Sequence, residues 1–452
     1  MHCKWRSRWR TWMRHGVVAG LTWAGFLTGF AGTLPDEDCD VLVVGGGTAG
    51  VAAALQSARA GARTVVVEQG FQVGGTMTSG GVNFPGLFHA WGRQVIDGVG
   101  YQLVTNCVAL AGGTLPDFRE PTGAAHWKHQ IVVNVPLYVA LAEEALTQAG
   151  VRIHYHAAPT AAVLSNGVWH LPVVAIGDTR TIRARQVVDC TGDAAVVALA
   201  GFARERAAVR QPGTFVYTLE PGTDVDRLDR AALERAFTEA LATGRLRTND
   251  TRWGLYNFLK CRGNTANYVD DADSSTADLR TETNLRGRAS MLRMYRFLRS
   301  LPGLENAALV SMSPEVGVRE TYRIRGEYTV TQTDYTSGRV FSDSLCYAFY
   351  PVDLHDKTTG IHPAHLAEGI VATVPLRALV PKGSKNLMVA GRCVSSDRGA
   401  NSGLRVEAAC MAMGQAAGAA AAVAARRGCS PLEVPLAEVK AVLRAQGAIV
   451  PN

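Results

Sequence analysis

The sequence predicts an α/β protein: a largely parallel sheet with a β-meander attached, and an α+β block inserted before the last strand. Three observations predict it. An N-terminal stretch alternates strand, glycine turn, helix and strand; the pattern changes between Gly201 and Pro375; and a buried strand followed by a long alanine-rich helix returns near the C-terminus. The first stretch is the most specific. In DVLVVGGGTAGVAAALQSARAGARTVVVE, Asp40 to Glu68, Val41–Val44 is an apolar strand and Gly45, Gly47 and Gly50 make a GxGxxG turn. A helix follows over about Ala49 to Ala60, and Thr64–Val67 is the next strand. In such a unit the first glycine permits the tight turn, the second lets a pyrophosphate approach the backbone, and the third lets the helix pack close to the sheet. The helix start, with Thr48 and Ala49, offers unpaired amides and the positive end of a dipole to the phosphates. Glu68 closes the second strand where a carboxylate can accept hydrogen bonds from ribose hydroxyls. Strand, turn, helix and acid together predict a Rossmann-like domain that grips the ADP half of a dinucleotide; a glycine turn alone would not.

Each later element has its own signal. The loop Gly70 to Gly86 carries Gly74, Gly75, Thr76, Ser79, Gly80 and Gly81, as a backbone pressed against a flat or phosphorylated ligand would, though a flexible surface loop also fits. A helix is expected over Val133 to Gly150, with Pro136 near its start and Gly150 behind its end. Short strands at Val151–His156, Ala161–Leu164, Trp169–Ile176 and Thr181–Ala184, parted by Asn166-Gly167 and Gly177-Asp178 turns, form the meander; Gln186–Asp189 resumes a buried strand. In the inserted block, helices are expected at Leu228–Leu241 and Leu285–Leu301, a loop at Asp270–Asp278 and an edge strand at Tyr322–Thr333. Asn386–Ala390 is then a buried strand, Gly391–Gly403 a loop, and Leu404–Arg427 a helix that Gly414 and Gly418 let approach the sheet closely. Arg405, Glu407 and Gln415 mark it as a packed helix, not a membrane dimer. The expected division is a leader over 1–32, the dinucleotide domain over 36–200 and 375–430, a substrate or cap domain over 201–374, and a C-terminal helix over 431–452.

Composition bounds the function. Hydrophobic residues at 47% and charged ones at 19% describe a globular chain of 452 residues, long enough for two domains. The net charge of +7 includes Lys4, Arg6, Arg8, Arg10 and Arg14, and without these five about +2 remains, so nothing argues for a nucleic-acid partner. These basic residues precede an apolar run, Gly16 to Ala31, and small residues at Gly29, Ala31 and Gly32. That is the pattern of a secretory leader cut near Ala31 or Gly32, which predicts a periplasmic or extracellular protein with no stable membrane span once the leader is removed. An uncleaved anchor is the alternative. The nine cysteines show no CxxC or Cys/His clustering, so no metal site is expected, and some could pair in an exported protein.

VVDCTGDAAV (Val187 to Val196) and NLMVAGRCVSS (Asn386 to Ser396), taken with the first fingerprint, resemble the second and third FAD-contacting motifs of two-domain, glutathione-reductase-like flavoproteins. Within that superfamily the chain resembles the FAD-dependent oxidoreductase family, some of whose members are labelled xanthan lyases. GVRETYRIRGEYTV (Gly317 to Val330), YPVDLH (Tyr350 to His355) and VPLRALVP (Val374 to Pro381) extend the likeness over most of the chain after residue 36. It implies FAD as cofactor, bound non-covalently, with Gly45, Gly47 and Gly50 at the pyrophosphate and Glu68 at the adenosine ribose. Gly74, Gly75 and Thr76 would line the ribityl and flavin side, and Thr191, Gly192 and Asp193 would close on the cofactor. Gly391, Arg392, Leu404, Arg405 and Val406 would approach the ribityl chain and the pyrimidine end of the ring, where a helix N-terminus stabilises the negative charge of reduced flavin. There is no second GxGxxG for a nicotinamide cofactor and no cysteine pair in the GGT loop, which argues against a disulfide reductase.

Flavin chemistry needs a group that manages the substrate proton. In YPVDLH, strand alternation would put Pro351, Asp353 and His355 on one face. Asp353 could then orient His355 as a general base for oxidising an alcohol, or the pair could simply tie down a loop; as metal ligands, two are too few. Arg319 and Arg323, beside Glu320 and Tyr322, suit an anionic or polyhydroxyl substrate, or a salt-bridge network between domains. His126, His129, His154 and His156 have no partner at a useful spacing. The expected function is dehydrogenation of a small polar, sugar-like or hydroxylated substrate by hydride transfer to flavin N5, with the electron acceptor unknown. The alternatives are a protein associated with polysaccharide lysis and a flavin-binding carrier without turnover.

Overall fold

The computed structural model describes residues 32–120, 125–264, 267–356, 360–361 and 363–452. The expected leader lies outside the described residues, which begin at Gly32. The elements that position the site are, in chain order, β1 (Glu37–Val44), α1 (Thr48–Arg59), β2 (Thr64–Val67), α2 (Val135–Gln148), β3 (Arg152–His154), β4 (Val168–Ala175), β5 (Asp178–Asp189), β6 (Leu387–Val389), α3 (Arg398–Leu404) and α4 (Glu407–Arg427).

The central sheet runs β3, β2, β1, β5, all parallel, so β1 and β2 are covered on both faces and read as unbroken apolar runs. Val41, Leu42 and Val43 are fully buried, as are Val65 and Val66. β5 differs from the two strands expected there. It is one twelve-residue strand whose outer half pairs antiparallel with β4 (Ile182 opposite Leu171) and whose inner half pairs parallel with β6 (Val188 opposite Met388). The apparent break comes from Arg183 and Arg185, which stay in the strand because Asp38 and Asp40 at the edge of β1 receive them at 2.6 and 3.6 Å.

Three more expectations fail for identifiable reasons. Tyr322–Thr333 is not an edge strand. Only Arg323–Ile324 pairs as one, and the amides of Ile324, Glu327 and Val330 donate instead to the carbonyls of Cys393, Val380 and Ser395, threading the segment between the inserted block and the final strand. Its end turns into a helix, Gln332–Ser337, started by a capping box of Thr331 and Asp334. The helix expected from Leu404 starts instead at Glu407. Leu404 closes α3, a short helix nucleated by the Asp397 carboxylate, which accepts from the Ala400 amide at 2.8 Å; Gly399, Asn401, Ser402 and Gly403 disguise it as a loop. In the insert, the helix expected from Leu285 spans Ala277–Leu298, because Thr276 caps it two turns earlier with polar residues facing outward.

The insert has an apolar core of its own around Phe215, Leu219, Phe258, Met294 and Phe297, distinct from the cluster that α1 and α4 share with β1. Among the described residues α4 is long and apolar enough to cross a membrane, but 94% of its apolar stretch is buried inside the protein. It lies directly on α1. A Cβ at Gly414 would overlap the carbonyl oxygen of Ala49, and one at Gly418 that of Ala53, so helix backbones touch where side chains would normally separate them.

Candidate functional site

A cavity of about 1980 Å³ opens at the C-terminal ends of β1, β2 and β5 and runs under the insert. Typical small-ligand pockets reach roughly 1,000 Å³, so this one has room for a large cofactor and a further molecule. At its inner end Gly45, with φ +99°, makes the turn out of β1, in space that leaves no room for a side chain beside Cys190. Gly50 is not on the wall: its Cα faces the Gly45 carbonyl, where a Cβ would overlap, and this brings α1 down onto the turn. Gly47 does the opposite. A Cβ there would meet nothing within 4 Å, and Gly47 is the N-cap of α1 with no side chain capping the helix. The first amides of α1, at Thr48 and Ala49, thus end at a hollow on the cavity wall, as a pyrophosphate requires.

Glu68 ends β2 with its carboxylate accepting from the Gly46 amide at 2.5 Å and the Gly70 amide at 2.6 Å. Burial pushes its pKa up while these two bonds favour the charge. A carboxylate has about four acceptor positions, so two remain for ribose hydroxyls. Gly74, with φ +98°, lies behind the wall and hydrogen-bonds its amide to the Gly46 carbonyl at 2.8 Å; Gly75 and Thr76 are on the wall itself.

The turn after β5 is folded by Asp189, whose buried carboxylate accepts from the Thr191 amide and hydroxyl at 3.0 and 2.7 Å. Thr191, Gly192 and Asp193 reach the cavity, but Asp193 is spent on a clasp. It accepts from Arg392 Nη2 at 2.7 Å, from Ser274 at 3.0 Å and from Thr321 at 2.5 Å; burial opposes its charge, yet Arg392 and Thr321 hold the carboxyl below its usual range. Arg392 also donates to the carbonyls of Gly192 and Val318, at 2.9 Å each. Asp193 and Arg392 therefore tie the sheet to the insert. Gly391, with φ +101°, and Val406 line the cavity, whereas Leu404 is fully buried away from it.

The outer part of the cavity holds a hydrogen-bonded chain. Asp353 Oδ2 lies 3.0 Å from His355 Nε2 and 3.1 Å from Arg405 Nη2, and His355 Nδ1 lies 2.9 Å from the Tyr268 hydroxyl. Burial works against the Asp353 charge, but the bond from His355 and the positive charge of Arg405 outweigh it and hold the carboxyl well below its usual range. His355 is held neutral, its pKa lowered to about 4, by burial first and by Arg319 second, against the pull of Asp353. With an ionised carboxylate on one side, the ring proton sits on Nε2 and Nδ1 accepts from Tyr268. The expected same-face pairing of Asp353 and His355 is present, though only His355–Asp356 is in a strand. Tyr268 carried no sequence signal: it comes from the insert, 87 residues away from His355.

Arg319 lies on the cavity wall beside this chain. Arg323 does not: it is buried behind it, donating to the Ser396 carbonyl at 2.9 Å and lying 3.9 Å from Glu205, which is the structural role. His154 also has a partner after all, Glu37 at 2.8 Å on the sheet edge, and His126 stands on the cavity wall with its ring 5.2 Å from that of Tyr350.

Fold and cradle define a dinucleotide-binding α/β protein with an acid–base cluster under an inserted cap. A model of the family described as FAD dependent oxidoreductase matches residues 40–443, and the chain belongs to that family. Its cofactor is FAD, and the hollow at Gly47, the spare acceptors of Glu68 and the cavity volume fit that group. No curated protein matches the chain. Similar solved structures include a geranylgeranyl bacteriochlorophyll reductase-like protein from Thermoplasma acidophilum, 12% identical over 91% of this chain and 83% of that one, with a TM-score of 0.41. Another is the anhydrotetracycline hydroxylase OxyS from Streptomyces rimosus, 14% identical over 42% and 38%, with a TM-score of 0.29. At such scores neither likeness bears on the chemistry.

Sequence reasoning treated Glu407 only as a mark of solubility, but it is the first residue of α4, borders the cavity and is buried, with neither carboxylate oxygen meeting a hydrogen-bond partner among the described residues. Burial pushes its pKa well above the usual carboxyl value, so folding buries a neutral acid. A raised folded-state pKa means that stability falls as pH climbs from the unfolded carboxyl value toward the folded one. Glu407→Met removes that loss. Urea unfolding should show the variant more stable than the parent by about 1–3 kcal/mol at pH 8, with a smaller difference at pH 5. A variant less stable at pH 8 would mean that the carboxyl has a partner in solution.

Proposed function

We propose that the protein dehydrogenates a small hydroxylated, sugar-like substrate, passing hydride to flavin N5 and the hydroxyl proton to His355 through Tyr268. The observation that carries this reading is the Tyr268–His355–Asp353 chain on the wall of the cofactor cavity. FAD, when bound, supplies the two-electron acceptor. The protein's own residues manage the proton. Tyr268 gives its proton to the free lone pair of His355 Nδ1 as its oxygen takes the substrate's, and Asp353 stabilises the imidazolium that results. Asp193 and Arg392 hold the insert over the cavity. Export, read from residues 4–32, is part of the same proposal and would show as a mature N-terminus near Gly32.

The test is anaerobic bleaching of the bound flavin by a panel of polyols, sugars and hydroxy acids. Bleaching by at least one donor is expected, together with its carbonyl product. A protein that binds FAD and bleaches with none is a carrier, and unsaturated sugar products without bleaching would mean lysis.

A further inference from the structure

The outer cavity carries more positive charge than its own residues balance. Arg319 donates from Nη1 to the Pro212 carbonyl at 2.6 Å and from Nη2 to the Thr214 hydroxyl at 3.0 Å, both neutral acceptors. Among the described residues no carboxylate lies within ion-pairing distance of it. The one nearby acid, Asp353, is already engaged by Arg405 at 3.1 Å and by His355 at 3.0 Å. His355 is neutral, so Arg319 and Arg405 face one carboxylate beside Tyr268, and a third guanidinium, that of Arg252, stands 4.8 Å from the centre of the same ring. Burial and the neighbouring Arg405 push the Arg319 pKa down to about 10, which is the mark of a cation held without adequate compensation. The remainder of Arg319 that is not buried lies on the cavity wall, its guanidinium carbon 5.8 Å from the Tyr268 ring centre.

We propose that the substrate is a hydroxy acid, with its carboxylate seated on Arg319 and the hydroxyl to be oxidised hydrogen-bonded to the Tyr268 oxygen. A neutral polyol would leave the buried cation unmatched, whereas a carboxylate forms a charge-assisted bond to it and brings the local charge to balance. Arg319 and Tyr268 are neighbours on the wall, and the smallest substrate that meets both carries its hydroxyl on the carbon next to the carboxylate. In the reaction that C–H bond breaks with its electron pair going to the oxidised flavin. The O–H proton goes to Tyr268 as Tyr268 protonates His355, and a 2-oxo acid is left.

This rests on the dehydrogenase reading, and the experiment separates the two. The FAD-loaded protein is mixed anaerobically with glycerate against glycerol and gluconate against sorbitol, and oxalate, which cannot be dehydrogenated, is titrated while the flavin spectrum is followed. Glycerate or gluconate should bleach the flavin and their polyol counterparts should not, and oxalate should perturb the spectrum saturably. Arg319→Met should weaken oxalate by about 10-fold or more, on the scale of one lost charge-assisted pair, with the FAD spectrum unchanged, and Arg319→Lys should recover part of it. Tyr268→Phe should keep oxalate binding and lose bleaching. Bleaching by polyols but not by acids overturns the hydroxy-acid assignment and leaves the dehydrogenase reading standing. Oxalate binding that depends on Arg319, with no donor bleaching, supports the anion site and sinks the dehydrogenase reading. Oxalate binding indifferent to Arg319→Met overturns the site.

Discussion

Asp353→Asn should slow anaerobic reduction of the flavin by about 10²- to 10⁴-fold, the range attached to a positioned acid–base group, while FAD stays bound. The reason is a tautomer. With an ionised carboxylate at 3.0 Å from Nε2, His355 keeps its proton on that nitrogen and turns a lone pair toward the Tyr268 hydroxyl, 2.9 Å from Nδ1. An amide can present its NH₂ to Nε2 instead, which moves the ring proton to Nδ1. His355 then donates to Tyr268, and the phenol has nowhere to send its proton. The imidazolium that the proposed relay forms would also lose its counter-charge, with Arg405 and Arg319 still beside it. The groups facing His355 are Tyr268, Asp353, Arg405 and Arg319, and burial with Arg319 outweighs Asp353 to keep the ring neutral down to about pH 4. Flavin reduction by the parent should therefore rise as pH climbs through about 4 and stay level to neutrality, since only the neutral ring accepts a proton. In Asp353→Asn that limb moves to lower pH, because the one neighbour that favoured the charged ring is gone. Stopped-flow absorbance across pH 3–8 reads both effects, and a variant within threefold of the parent would remove the relay from the mechanism.

The cradle was legible in the sequence because its parts are contiguous. Gly45, Gly47, Gly50 and Glu68 sit in one strand–turn–helix–strand unit whose spacing fixes their geometry, and α1 and β2 fall within a residue of expectation. The Asp353–His355 pair was legible for the same reason. What joins distant segments was not. Tyr268 meets His355 only because the insert folds across the cavity, and no local pattern shows that Arg392, on the cavity wall, is also held by Asp193, Ser274 and Val318. Local polarity misled where tertiary hydrogen bonds decided the backbone path, as with Arg183 and Arg185 inside β5 and the alternating residues after Tyr322, whose partners are loop carbonyls.

Gly414→Ala provides a test in which local propensity and tertiary packing predict opposite signs. Gly414 lies inside α4, where alanine is favoured over glycine by about 1 kcal/mol, so helix propensity alone makes the substitution stabilising. The packing reverses this. The added Cβ would overlap the carbonyl oxygen of Ala49, and its next neighbours are the carbonyl carbon and Cα of the same residue, at 2.8 and 2.9 Å. Backbone cannot rotate away as a side chain can, so the two helices must separate. Ala49 belongs to the first turn of α1, whose amides border the hollow beside Gly47, and any shift there opens the anion site along with the core. We expect Gly414→Ala to destabilise the protein by about 1–3 kcal/mol, the cost of overpacking a tight core, and to weaken FAD binding by about 10-fold or more. Gly428→Ala, at the end of the same helix with φ +64° and nothing within 4 Å, is the control: it meets only the left-handed backbone cost and should leave FAD affinity unchanged. Flavin fluorescence during dilution and thermal unfolding of the loaded protein measure the two quantities. Stabilisation by Gly414→Ala would show that α1 and α4 do not pack backbone to backbone, and with that contact would go the reason for a glycine at this turn of the helix.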